Sequence, residues 1–148
     1  MSRFLLEVLL FVPSALYTGY LLFIALVIQN VMNKLDEATF QRFLNLLEKT
    51  ATKSPYAIFV GLVPFLGMFP YFIFYGFTNW FYTGGLVVFF IASVISKAIN
   101  LPLYKKIFEL DSTATVELNT ERKKLKNANY LRAVIQLTSL VLMIIGLL

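Results

Sequence analysis

Apolar and polar positions alternate in long blocks, with apolar runs at about residues 4–32, 55–77, 80–101 and 130–148 and polar segments after the first and third. A helix needs about 20 apolar residues to cross a hydrocarbon core of about 30 Å, and each run is of that order. The pattern predicts an all-α fold, an integral membrane four-helix bundle with cytoplasmic helical connections. Residues 1–148 form a single transmembrane domain with no room for a separate soluble one.

The first run starts like a signal peptide, with Arg3 ahead of an apolar stretch and Ser14 and Ala15 as small residues. Glu7 interrupts it, and the apolar run continues to Ile28, too far for a cleaved leader. The reading is a retained helix, bent near Pro13. Arg3 and Glu7, four residues apart, are placed to pair. In the first connection Asp36 is a helix N-cap, and Phe40, Phe43, Leu44 and Leu47 repeat at helical spacing, the pattern of an amphipathic helix on the membrane or against the bundle. The second run carries Pro64 and Pro70, which predict a kinked helix. A short turn at 76–80 predicts a tight antiparallel hairpin of the second and third spans. Pro102 is expected to end or bend the third span near Asn100. From Thr113 the chain can run as a helix into the last span.

Composition sharpens this picture. Of the residues, 59% are hydrophobic and 14% charged, and the mean hydropathy is +0.76, too apolar for a soluble domain to cover its core. The net charge of +5 is not a nucleic-acid signal. Ten of the 13 basic residues lie in the two long connections: Lys34, Arg42, Lys49, Lys53, Lys105, Lys106, Arg122, Lys123, Lys124 and Lys126. The positive-inside rule then predicts a plasma (inner) membrane protein with both connections cytoplasmic and both termini outside. The run 122–126 is a topology signal first and a contact for anionic membrane lipids second. The chain has no Cys and no His, which excludes thiol redox chemistry, Cys/His zinc sites and haem ligation by His. No metal and no cofactor is expected.

The polar residues within the spans concentrate at one depth. Gln29, Asn30 and Asn33 end the first span. Ser93, Ser96 and Asn100, and likewise Asn129, Arg132 and Gln136, follow an i, i+3, i+7 spacing that keeps each set on one helical face. The sharp reading is a ligand pocket formed by Asn30, Asn33, Ser96, Asn100, Asn129, Arg132 and Gln136, with Arg132 as its charged centre. It would take a lipid or a hydrophobic, amphipathic or aromatic small molecule. The plain reading is that Arg132 and Lys97 snorkel to the headgroups while the amides cap or bridge helices. Glu7 is read as the partner of Arg3. A transporter would need a homo-oligomer, because a single four-span unit shows no inverted repeat.

Three stretches carry a likeness to a known family: Ala15-Leu-Tyr-Thr-Gly19, Ile99-Asn-Leu-Pro-Leu103 and Asn129-Tyr-Leu-Arg132. With them the chain resembles the anthrone-oxygenase-like family of small four-span membrane proteins, most of which have no assigned function. The family places Asn and Pro where Asn100 and Pro102 stand, and an Asn-x-x-Arg at the last span, matched by Asn129 and Arg132. A Trp expected four residues before Asn129 is Leu125 here, and Tyr104 stands near the position of a second Asn. The resemblance implies, as an alternative to binding alone, a cofactor-independent membrane oxygenase in which Arg132 and Asn100 stabilise a phenolate-like anion. No His is present to take the proton.

Overall fold

The computed structural model describes residues 2–148, and among these every regular element is a helix. Helix α1 spans Arg3–Met32, α-helical over Arg3–Phe23 and Gln29–Met32 and widened to a π-helix over Ile24–Ile28. Helix α2 is Glu37–Lys53, α3 Pro55–Tyr75, α4 Trp80–Glu109 and α5 Thr115–Leu147. Helices α1, α3, α4 and α5 are long and apolar enough to cross a membrane. Their outward faces carry large apolar side chains, Ile73 and Phe74 being 78% and 75% exposed, as befits helices solvated by lipid.

Connections α1–α2–α3 and α4–α5 lie at one end, the basic end; the termini and the short α3–α4 turn lie at the other. Asp36 caps α2 as expected, its Oδ1 accepting from the Thr39 amide at 2.9 Å. The cap holds the Asp36 carboxyl below its usual range, because the charged form receives that bond. The apolar face of α2 joins α1, α4 and α5 in a core of Met32, Phe40, Leu44, Ile107, Leu118 and Leu125. Thus α2 packs against the bundle rather than lying free. Arg122, read from the sequence as part of a basic run that signals topology and then contacts anionic lipid, is buried here: its guanidinium sits 4.2 Å from the Phe40 ring centroid, and Nη1 donates to Leu35 O at 3.0 Å. Beside it, buried Glu121 accepts from Lys106 at 2.6 Å and Lys124 at 2.8 Å.

At the opposite end Glu7 does more than pair with Arg3. Its Oε1 accepts from Arg3 Nε at 2.9 Å, Tyr71 Oη at 2.8 Å and Asn79 Nδ2 at 3.2 Å. Asn79 also donates to Gly146 O at 2.7 Å and caps α4, so one buried carboxylate ties α1, α3, α4 and α5 together.

Two expectations are corrected. Helix α4 does not end near Asn100 but runs through Pro102 to Glu109, where Tyr104, Ile107 and Phe108 pack on the basic-end core. Nor do α3 and α4 form a tight hairpin. Helix α4 lies along α5 for its whole length, from Tyr82 beside Gly146 to Lys106 paired with Glu121. Helix α3 rests on α1, with Gly67 against Leu10 and Gly61 near Tyr17. Rings of α3 and α4 meet towards the turn, Tyr71 with Tyr82 at 5.2 Å and Phe65 with Phe90 at 5.4 Å; elsewhere the two helices touch sparsely. Pro13 of α1 lies inside a continuous α-helical stretch, and the helix widens at Ile24–Ile28.

Candidate functional site: a lateral cleft with an arginine at its inner wall

A cleft of about 610 Å³ fills the space on the basic side of the Phe65–Phe90 contact. Its back wall is α1, through Tyr17, Tyr20, Leu21 and Ile24. Residues of α3 from Ala57 to Phe65 form one side, and residues of α4 from Phe90 to Tyr104 form the other. Leu44, Leu47, Glu48, Ala51 and Thr52 of α2 close it towards the basic end. Ile58, Leu62, Val94 and Leu101 line it and are also exposed, so the opening between α3 and α4 has an apolar rim on the face that would meet lipid.

Helix α5 contributes Asn129 and Arg132. The guanidinium is held by Nη1, which donates to Ser96 Oγ at 3.1 Å across the α4–α5 contact. That is its only hydrogen bond, and buried Nε has no partner. Asn129 is 2% exposed; its Nδ2 donates to Gln29 Oε1 at 2.9 Å, and Gln29 Nε2 donates to Asn33 Oδ1 at 2.9 Å. This relay, which follows directly on the wide turn of α1, leaves Asn129 Oδ1 as an acceptor without a partner. Tyr20 and Tyr104 line the same cleft as Arg132.

The sequence-selected residues divide accordingly. Ser96, Asn129 and Arg132 meet in the cleft wall. Asn33 is exposed and touches the site only through Gln29. Asn30 is exposed and donates to Leu26 O at 2.6 Å, away from the cleft. Asn100 and Gln136 are 4% and 1% exposed, do not line the cleft, and have both amide atoms unpartnered. Asn100 therefore does not join Arg132; Ser96 takes that place. Sequence reasoning left out Tyr17, Tyr20, Tyr104 and Glu48. Aromatics are common throughout the chain, and Glu48 falls off the apolar stripe of α2, so neither carried a usable signal.

No family model matches the chain, and no curated protein or solved structure matches it significantly. The likeness to the anthrone-oxygenase-like proteins thus stands on its three short stretches alone.

Proposed function

We propose that this chain is an integral membrane protein that binds an amphipathic small molecule, its apolar body in the cleft between α3 and α4 and its polar head at Arg132, Asn129 and Ser96. The observation that carries this reading is the partly unpaired guanidinium at the inner wall of an aromatic and aliphatic cleft whose rim is apolar. A cleft of about 610 Å³ falls within the range of about 300–1,000 Å³ typical of small-molecule sites, and an apolar lining with few polar groups is their usual chemistry. A charged side chain in a span faces the bundle interior or a ligand because lipid cannot solvate it. Arg132 does this with Nε and Nη2 uncommitted. The oxygenase alternative asks for a proton acceptor as well. Glu48 is the one carboxylate lining the cleft among the described residues, and no observation assigns it that part.

Untargeted mass spectrometry of molecules co-purifying with the wild type and with Arg132→Ala tests the proposal. An amphiphile present with the wild type and lost from the variant is the expected result. Identical profiles with unchanged stability would reduce Arg132 to an interfacial anchor.

The proposal includes an orientation: the basic end faces the cytoplasm, following the ten basic residues of the two long connections. Because the chain has no Cys, single-cysteine labelling reads this directly. Lys34→Cys and Lys126→Cys should react from one side and Thr78→Cys from the other. Labelling of Lys34→Cys and Lys126→Cys from opposite sides would overturn the topology.

A further inference from the structure

The uncommitted edge of Arg132 narrows the chemistry of the ligand's head. A guanidinium presents its donors as a planar fork, and the pair formed by Nε–H and one Nη2–H spans the two oxygens of a single carboxylate or phosphate. In Arg132 the other terminal nitrogen, Nη1, is tied to Ser96 Oγ, which fixes the plane of the group, while Nε and Nη2 make no hydrogen bond. A phenol or phenolate has one oxygen and cannot fill both. Three residues earlier on the same helix, Asn129 Oδ1 is an acceptor without a protein partner on a side chain that is 2% exposed, and both residues line the cleft. It calls for a donor on the same head. Lys97, exposed at the cleft margin, adds a second positive charge.

From this arrangement we infer that the ligand is a single-chain amphiphile drawn from the bilayer, whose head is an oxyanion gripped through two oxygens by the Nε–Nη2 edge of Arg132 and which also donates a hydrogen bond to Asn129 Oδ1. This rests on the binding role proposed above and goes further in naming the head. The cleft volume limits the body to one chain or one ring system, and the apolar rim between α3 and α4 admits it from the side. A phosphate monoester that also carries hydroxyl groups satisfies both demands. A fatty acid satisfies only the first.

The test uses the purified full chain in phosphatidylcholine nanodiscs and three probes with the same oleoyl chain: lysophosphatidic acid, oleic acid and mono-oleoylglycerol. Lysophosphatidic acid should bind tightest, oleate next, and neutral mono-oleoylglycerol at least about tenfold more weakly than either, the worth of a charge-assisted hydrogen bond. Arg132→Lys keeps the charge but not the fork and should erase most of that advantage. Gly61→Leu adds bulk beside Tyr17, where a Cβ meets Cε2 at an ordinary 3.7 Å, and should weaken all three probes together. Mono-oleoylglycerol binding as tightly as the acids, or an Arg132→Lys protein with wild-type preference, would overturn the head-group assignment while leaving the cleft as a binding site. Oleate binding more tightly than lysophosphatidic acid would overturn the role given to Asn129. If none of the probes binds, or if Gly61→Leu changes none of them, the cleft itself is not the site.

Discussion

Two adjacent glycines in α4 provide a sharp test of how the bundle is held. Gly84 and Gly85 differ only in the side of the helix they occupy. A Cβ built on Gly84 meets nothing within 4 Å. One built on Gly85 would lie 2.5 Å from Met143 Cγ and 2.9 Å from both Met143 N and Ser139 O. The last two are backbone atoms of α5 and cannot swing aside, so Gly85→Ala must push the helices apart. Overpacking of this kind costs about 1–3 kcal/mol. Separation also strains the bond from Ser139 Oγ to Gly85 O, now 2.7 Å, an interaction worth about 0.6 kcal/mol on average between membrane helices. Against this stands the gain in helix propensity from replacing glycine by alanine, about 1 kcal/mol in water. That gain applies to both positions, so the difference between Gly84→Ala and Gly85→Ala isolates the packing term. The two variants should differ by about 1–3 kcal/mol, roughly a 5- to 150-fold change in the unfolding equilibrium. Reversible unfolding in mixed detergent micelles, followed by far-ultraviolet circular dichroism, measures it. Equal stabilities for the two variants would show that α4 and α5 do not approach as closely as described.

Other expectations follow from single groups. Glu7→Leu strands the Tyr71 hydroxyl and the Asn79 amide and should cost about 1–3 kcal/mol, whereas Glu7→Gln, which keeps an acceptor oxygen, should cost less in the same unfolding assay. Gln136→Leu should be neutral or stabilising, because both amide atoms are buried without partners; a loss of more than about 1 kcal/mol would show that they are satisfied. Asp36 has its pKa lowered by the Thr39 amide, so its contribution is complete above the unfolded value of about 3.9 and fades as pH falls through the lower folded one. The difference in melting temperature between wild type and Asp36→Asn should therefore shrink on acidification; a difference that grows would contradict the cap.

The spans were legible because each apolar run is close to or longer than the thickness it must cross, and length alone decides that. Asp36 and the Arg3–Glu7 pair were legible because both are local, three and four residues apart. Pro102 misled for a tertiary reason. A proline inside a helix costs about 3 kcal/mol, and this outweighs any preference visible in the neighbouring residues. Burial of Ile107 recovers about 1.5–3 kcal/mol, and the partial burial of Tyr104 and Phe108 adds to it. That return depends on α2 folding back over α4, which no local pattern announces. The same blindness left open which residue of α4 meets Arg132. The i, i+3, i+7 rule placed Ser96 and Asn100 on one face, but which of them meets a guanidinium depends on how α4 and α5 are aligned. Glu7 was likewise assigned one partner of the three it has, since Tyr71 and Asn79 lie far along the chain.

The distribution of satisfied and unsatisfied polar groups argues that the two ends of the bundle serve different purposes. At the turn end, Glu7, Tyr71, Asn79 and Tyr82 bond to one another or to backbone, and among the described residues Thr83 Oγ1 is the one buried side-chain atom there without a partner. Midway and towards the basic end, Arg132 Nε, Asn129 Oδ1, Asn100 and Gln136 are buried and unpartnered. Lipid offers no hydrogen bonds, so each such group carries a desolvation cost of about 1–3 kcal/mol that close packing alone does not offset. A bundle under pressure only to be stable would replace these residues with leucine, as α1 does at Leu21 and α4 at Leu86, both fully buried. The turn end is built as a clamp. In the cleft region, the polar atoms with most to gain from a further partner are those of Arg132 and Asn129, where the wall already holds one terminal nitrogen of the guanidinium and leaves Nε and Nη2 without partners.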